Sequence, residues 1–251
     1  MVKAVLLDMD NTLIETQTLY TEGKAALGCL IMGFGPFTPE EVLAYVERRQ
    51  IELFPLYGYK AELLPAAFTD TLLYFVKDAR PSEIEEARTI ALNVYARDAE
   101  VKQGVENALR MLAAHFEIHL LTAGDHAVQR RRIESLPFKH IFRNTFVVPE
   151  KDSATFRAVL EDIGCRPHEA VMIGDSLRSD IVPAVEIGMY AIHIESNNWH
   201  GLEMHGHSLP EESAHRHESL HEAAVALIKK HGHNKPPPFP YAKRSSGPKA
   251  A

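Results

Sequence analysis

The segment VLLDMDNTLIE, residues 5–15, joins an apolar run directly to two carboxylates. The run Val5–Leu7 has the composition of a strand covered on both faces, as in a parallel sheet flanked by helices. Asp8 and Asp10 follow where that strand must end. Two such charges repel each other unless a cation holds them, so the segment predicts both the type of sheet and a charged site at its edge.

The length and composition of the chain exclude several classes of protein. A chain of 251 residues can bury a core and carry a smaller companion domain. A net charge of -7 disfavours non-specific nucleic-acid binding, and no apolar run approaches the length of a bilayer span. The first ten residues turn acidic too early for a signal peptide, and two cysteines are too few for a disulfide scaffold. We predict a cytoplasmic protein without nucleic-acid or membrane partners.

Apolar strands and helical patterns alternate along most of the chain. Further strands are predicted at Glu117–Leu121, Thr145–Val148, Ala170–Ile173 and, more weakly, Met189–Ile194. Helices are predicted between them at His126–Leu136, Asp152–Ile163 and Ser179–Ile187. This alternation predicts an α/β protein whose core is a Rossmann-like, doubly wound parallel sheet.

A helical insert interrupts this alternation. Capping boxes are predicted at Thr38–Glu41 and Ser82–Glu85, and Asp8 lies 114 positions before Thr122, far more than one βαβ unit needs. The predicted domains are a core formed by 1–15 and 101–231, a helical domain at 16–100, and a disordered, proline-rich tail at 232–251.

Polar side chains stand at the predicted carboxyl ends of the strands, where open α/β sheets bind their ligands. They are Asp8, Asp10, Thr122, Lys151, Asp175 and Asp180. Clustered carboxylates favour a hard cation such as Mg²⁺, which together with the lysine makes their repulsion tolerable. Negative charge remains in excess, so we expect one acid to keep its proton, and we assign that role to Asp10.

These residues form a set of motifs in a fixed order along the chain. The set is Asp8-Met9-Asp10-Asn11-Thr12, then Thr122 closing a strand, then Lys151, then Gly174-Asp175-Ser176-Leu177-Arg178-Ser179-Asp180. It resembles the haloacid dehalogenase (HAD) superfamily, in its phosphatase type, over about residues 3–200. The helical insert is similar in position to the mobile C1-type cap of that superfamily.

The resemblance implies a mechanism. Asp8 would be the nucleophile that forms an aspartyl-phosphate, and Asp10 would be the general acid and base. Mg²⁺ would be held by Asp8, Asp175 and the backbone carbonyl of Asp10. Asp180 would support the site by orienting Lys151 or a metal-bound water.

The remaining two residues would bind the phosphoryl group. Thr122 would donate a hydrogen bond to a phosphoryl oxygen, and Lys151 would add a fixed positive charge beside the nucleophile. Thr122 could instead be an ordinary strand-end residue. Lys139 is the other lysine between the second and fourth motifs, but it follows Pro137-Phe138 rather than a strand, so Lys151 is preferred.

The resulting hypothesis is a Mg²⁺-dependent phosphatase that acts on a small phosphorylated metabolite. Asp10 favours this activity, because dehalogenases of the superfamily lack the second carboxylate. A phosphomutase of the same superfamily and a non-enzymatic phosphoacceptor or binding module remain alternatives. The oligomeric state is not predicted.

Two groups of residues have open interpretations. The cap residues to consider for substrate choice are Arg48, Arg49, Tyr57, Gly58, Tyr59 and Lys60, although each one also fits helix surface or core packing. The run Arg130–Arg132 is interpreted as a solvated helix face, with direct phosphate contact as the alternative.

Overall fold

The computed structural model describes residues 1–196 and 214–232. In this part of the chain the strands are β1 Ala4–Leu7, β2 Ile14–Glu15, β3 Glu100–Val101, β4 Glu117–Ala123, β5 Asn144–Val148, β6 Ala170–Gly174, β7 Tyr190–Ile194 and β8 Ala214–His217. Six of them form one parallel sheet in the order β5-β4-β1-β6-β7-β8. The predicted α/β fold with a Rossmann-like, doubly wound sheet is confirmed.

The helices of the described residues flank this sheet or form the insert. They are α1 Gln17–Met32, α2 Pro39–Tyr57, α3 Leu63–Phe75, α4 Pro81–Ala96, α5 Val105–Ala113, α6 His126–Ser135, α7 Ser153–Asp162, α8 Val182–Glu186 and α9 Leu220–His231. The predicted helix Ser179–Ile187 is wrong in form, because a π-helical turn, Leu177–Ile181, precedes the short α8. Pro183 explains this difference, since it has no N–H to donate to an earlier carbonyl.

The winding of the sheet places its switch point beside β1. From β1 the chain moves outward to β4 and β5, then returns across the sheet to β6 on the other side of β1. Leu7 therefore lies between Leu120 and Ile173 in neighbouring strands. The loops after β1 and β6 separate at this point, which is where open α/β sheets form their binding crevices.

Three apolar clusters hold the described residues together. One covers each face of the sheet, and β1 contributes to both because Val5 and Leu7 point to one face and Leu6 to the other. The third is formed mainly within α1–α4, from residues such as Leu27 and Phe68. The helical insert thus has a core of its own, which is consistent with the predicted cap, although the proposed domain boundaries stay a prediction.

The entry to and exit from the insert lie side by side. Ile14 pairs with Val101 and Glu15 with Glu100 in the antiparallel β2–β3 ribbon.

Among the described residues, the helices lack the combination of length and apolar character that a membrane span needs. The predicted disordered tail falls almost wholly outside the described ranges.

One of the two predicted capping boxes is confirmed. The Thr38 hydroxyl accepts a hydrogen bond from the Glu41 N–H at 3.2 Å, and the Glu41 carboxylate accepts one from the Thr38 N–H at 2.9 Å. The box predicted at Ser82–Glu85 is wrong, because α4 begins two residues earlier. Pro81 occupies its first position, and Glu83 accepts from the Arg80 N–H at 2.8 Å.

Candidate active site

A buried cluster of acids lies at the switch point of the sheet. Asp8 follows β1, Asp175 follows β6, and Asp180 lies in the π-helical turn; their exposed fractions are 5%, 8% and 0%. One carboxylate oxygen from each lies within 4.8 Å of the others. Side chains distant in sequence therefore converge as predicted, and the all-oxygen set has the chemistry that suits a hard divalent cation.

Lys151 is the buried cation of this cluster. Its Nζ donates to Asp8 Oδ1 at 2.5 Å and to Asp180 Oδ1 at 2.6 Å. Burial opposes its charged form, but the charges of Asp180 and Asp8 outweigh that cost and raise the pKa of Lys151. Lys139 instead pairs with Glu134 at the surface, so the structure places Lys151, rather than Lys139, at the site.

Asp8 carries an electrostatic cost that one lysine does not remove. Burial raises the pKa of Asp8 to about 7, against the charge of Lys151, and the nearby charges of Asp180 and Asp10 raise it further. Two buried carboxylates, Asp8 and Asp180, thus share one ammonium group, and Asp175 lies close to both. The cluster has the excess negative charge that a divalent cation would neutralise.

Asp175 is held from three directions. The Thr12 hydroxyl donates to Asp175 Oδ1 at 3.3 Å and the Ser196 hydroxyl to Oδ2 at 3.0 Å. His193 Nε2 lies 2.8 Å from the backbone oxygen of Asp175, a distance at which the imidazole N–H donates. The threonine of the first motif therefore orients the acid of the last one.

Position 174 requires a glycine, because the Asp180 side chain occupies the space that a Cβ atom would need. A Cβ atom added there would lie 2.2 Å from Asp180 Oδ2, whereas one added to Gly28 in α1 would meet nothing within 4 Å. Ser176 N–H donates to the same Asp180 oxygen at 3.1 Å, so the carboxylate has little room to move.

We therefore expect Gly174→Ala to displace Asp180 from Lys151 and to lower the free energy of unfolding by about 1–3 kcal/mol. Gly28→Ala is the matched control and should be neutral or stabilising by up to about 1 kcal/mol, because alanine favours helices. Urea unfolding of both variants measures the difference, and equal stability would contradict the assigned contact.

Asp10 is held by two side chains of α6. Its Oδ1 accepts from Arg132 Nη1 at 2.9 Å and its Oδ2 from Gln129 Nε2 at 2.6 Å. We expected Asp10 to be the acid that keeps its proton. That role stays a prediction, and in the structure the Asp10 carboxylate is paired with the Arg132 guanidinium. The predicted metal ligand of Asp10, its backbone carbonyl, stays a prediction.

Gln129 connects the first two motifs. Its Nε2 also donates to Thr122 Oγ1 at 2.6 Å and lies 3.1 Å from the carbonyl of Ala123. Because the Thr122 hydroxyl accepts this bond, its own hydrogen can be directed to a ligand. Sequence reasoning missed Gln129, whose only signal is its position in the first turn of the helix that follows Thr122.

The run of three arginines is not a uniform solvated face. Arg132 is buried against Asp10, as described above. The Arg131 guanidinium donates to the carbonyls of Tyr95, Ala96 and Arg97 and so caps the C-terminal end of α4. Only Arg130 fits the predicted exposed role.

Asn11 shapes the turn between β1 and α1 and was also missed. It has a φ of 59°, a conformation that asparagine tolerates better than most residues. Its Oδ1 accepts from the N–H groups of Thr16 and Gln17 at 3.1 and 2.8 Å, which starts α1. Lys102 Nζ donates to the carbonyl of Asn11 at 2.6 Å.

A cavity of about 220 Å³ opens between the acidic cluster and the helical insert. Of the six cap residues considered from the sequence, Tyr59 and Lys60 line it, and the Tyr59 hydroxyl lies 3.0 Å from Ser179 Oγ of the core. Arg48 and Arg49 instead form ion pairs with Glu52 on α2. Further residues of α1–α4 that were not predicted also line the cavity, among them Tyr20, Lys24, Gln50 and Tyr95.

The fold and the site together define a class: a doubly wound α/β protein with an acidic, lysine-bearing site at its switch point. The chain belongs to the haloacid dehalogenase-like hydrolases, since the model of that family matches residues 2–188. A haloacid dehalogenase-like family hydrolase from Xanthomonas campestris has the same fold, with a TM-score of 0.77 and 24% identity over 92% of this chain and 96% of that one.

Two similar curated proteins are phosphatases. The N-acylneuraminate-9-phosphatase of Rattus norvegicus is 24% identical over 201 residues, covering 76% of this chain and 81% of that protein. The glyceraldehyde 3-phosphate phosphatase of Methanothermobacter thermautotrophicus is 25% identical over 203 residues, covering 78% and 87%.

Proposed function

We propose that this protein is a Mg²⁺-dependent phosphatase that hydrolyses a small phosphorylated metabolite through an aspartyl-phosphate intermediate. The observation that carries the proposal is the buried cluster of Asp8, Asp175 and Asp180 at one edge of the sheet, with Lys151 bound to Asp8 and Asp180. The phosphatase activity of the two curated relatives supports the same reaction.

The nucleophile in this proposal is Asp8. Its Oδ1 is held by Lys151, which leaves Oδ2 to attack phosphorus while the ammonium group fixes the direction of the carboxylate. The same ammonium group would stabilise the negative charge that develops on the phosphoryl oxygens.

The acidic cluster fits the magnesium ion that the proposal requires. Asp8 and Asp175 offer oxygen ligands, and burial of the acids beside a single lysine leaves negative charge for a divalent cation to neutralise. When bound, Mg²⁺ supplies charge neutralisation for the phosphoryl oxygens. Asp180 is already committed to Lys151 and to the Ser176 N–H, so its role is to position the lysine.

The remaining steps fall to Asp10 and Thr122. Asp10 would protonate the leaving oxygen and then take a proton from the attacking water. In the structure its carboxylate oxygens accept from Arg132 and Gln129, so this role requires that Asp10 exchange one of these partners for the leaving oxygen. The Thr122 hydroxyl, which accepts from Gln129, would donate its hydrogen to a phosphoryl oxygen.

The test is hydrolysis of 4-nitrophenyl phosphate and of a panel of phosphorylated metabolites, with Mg²⁺ or with a chelator. We expect release of inorganic phosphate that depends on Mg²⁺ and is lost with the chelator. A phosphomutase would return an isomer in place of free phosphate. Absence of phosphate release from every ester would contradict the proposal.

A further inference from the structure

His193 is a buried polar residue in the apolar strand β7. Its neighbours Ile192 and Ile194 are each 1% exposed, and its own exposed fraction is 9%. Its Nε2 lies 2.8 Å from the backbone oxygen of Asp175, whereas its Nδ1 has no partner among the described residues. An unpaired, buried nitrogen carries a cost that an apolar side chain would avoid. The strand accepts this cost at a position that contacts the first acid of the last motif.

The contact lies where the ladder between β6 and β7 stops. The last pair of this ladder is Gly174 with His193, and β6 ends at Gly174. Asp175 is one residue further on, so its carbonyl lies beyond the paired part of β6. A buried carbonyl needs a hydrogen-bond donor, and the imidazole of the neighbouring strand supplies one. Because a carbonyl oxygen can only accept, Nε2 carries the hydrogen.

Asp175 is thereby held at its main chain as well as at its carboxylate. The Thr12 and Ser196 hydroxyls donate to the two carboxylate oxygens. His193 restrains the peptide group from which the side chain starts. Side chains that orient a metal ligand in this way raise the affinity of a site without touching the ion.

A role in packing alone would make His193 equivalent to His119. His119 is also a buried histidine of the sheet, in β4, with an exposed fraction of 0%. Its Nδ1 lies 3.2 Å from Nδ2 of Asn144, the first residue of β5, which is outside the acidic cluster. The two buried histidines therefore differ in what they hold, since only His193 of this pair contacts a candidate metal ligand.

We propose that His193 is a positioning residue for the metal site: its hydrogen bond to the Asp175 carbonyl holds this acid in the orientation in which it binds Mg²⁺. This inference rests on the magnesium ion of the proposed function. It assigns to β7 a part in metal binding, in addition to the strands that carry the acids.

The test measures metal binding in the absence of substrate. Mn²⁺ serves as the probe, because it also prefers oxygen ligands, and the electron paramagnetic resonance signal of the free ion gives the bound fraction. Competition with Mg²⁺ gives the affinity for Mg²⁺. His193→Phe keeps a ring of similar size and removes the donor, so we expect the affinity for both ions to fall about 10–100-fold.

Phosphate release provides a second measurement. The Mg²⁺ concentration for half-maximal activity should rise in His193→Phe by the same factor as the dissociation constant. The value of kcat at saturating Mg²⁺ should fall less, because the ion restores the orientation of Asp175 once it is bound.

Three further variants separate the hydrogen bond from packing. His193→Gln places an amide nitrogen close to the position of Nε2 and should bind Mn²⁺ more tightly than His193→Phe. His193→Asn is too short to reach the carbonyl and should resemble His193→Phe, which keeps the test valid if the phenylalanine variant does not fold. His119→Phe is the matched control and should keep the Mn²⁺ affinity of the unaltered protein, although it loses the contact with Asn144.

The failures of this inference and of the proposed function are distinguishable. Unchanged Mn²⁺ affinity in His193→Phe, or an equal loss in His119→Phe, would overturn the positioning role and leave the phosphatase function standing. Equal affinities of the glutamine and asparagine variants would also overturn it. If the unaltered protein binds neither Mn²⁺ nor Mg²⁺, the metal dependence of the proposed function fails and the inference fails with it.

Discussion

Asp8→Asn is expected to abolish phosphatase activity, lowering kcat by roughly 10⁴-fold or more, as loss of a covalent nucleophile does in other enzymes. The amide oxygen of asparagine is a poor nucleophile, and Asp180, which also contacts Lys151, is held in place by the Ser176 N–H. The side chain keeps its size, so the fold should be preserved. Release of phosphate from 4-nitrophenyl phosphate with Mg²⁺ measures the loss.

The control for this variant is Asp78→Asn, which makes the same chemical change at an exposed position after α3. It should keep the activity of the unaltered protein. Circular dichroism should give the same spectrum for all three proteins. Activity in Asp8→Asn within tenfold of the unaltered protein would remove Asp8 as the nucleophile.

Lys151→Met should lower both activity and stability. It leaves the Asp8 and Asp180 carboxylates buried without the ammonium group that both contact. Loss of one partner from a buried ion pair costs about 3–5 kcal/mol of the free energy of unfolding. Urea unfolding in the presence of a chelator should show that loss, and Mg²⁺ should recover part of it.

Lys139→Met is the matched control, because Lys139 was the competing lysine in the sequence. Its partner Glu134 is at the surface, so its loss should cost less than about 1 kcal/mol. Activity should fall at least about a hundredfold in Lys151→Met, because a fixed charge beside the reacting group is lost. Equal effects of the two substitutions would contradict the placement of Lys151.

The sequence was sufficient for five of the six strands of the sheet and for the acids at its edge, whereas β8 was not predicted. Strands buried on both faces leave an apolar signal, and the carboxyl ends of parallel strands share one edge, so the order of the residues alone places Asp8 and Asp175 together. The predicted boundaries of these strands lie within two residues of the observed ones. Local sequence rules determine such features.

Contacts made by side chains of separate elements could not be predicted in this way. Arg132 and Gln129 looked like part of an exposed helix, and their contact with Asp10 depends on how α6 packs beside β1. Gln50 lies in a helix whose polar residues gave no reason to single it out. The start of α4 was misplaced because serine is the commoner cap, although Pro81 and Glu83 define the actual start.

The proposed mechanism depends on transfer of the phosphoryl group to Asp8. Mixing the enzyme with Mg²⁺ and a phosphate ester, quenching in acid within milliseconds and mapping the peptides by mass spectrometry tests that transfer directly. We predict one added phosphoryl group, located on Asp8 and absent from Asp8→Asn. Rapid turnover with the label on another residue would contradict the account.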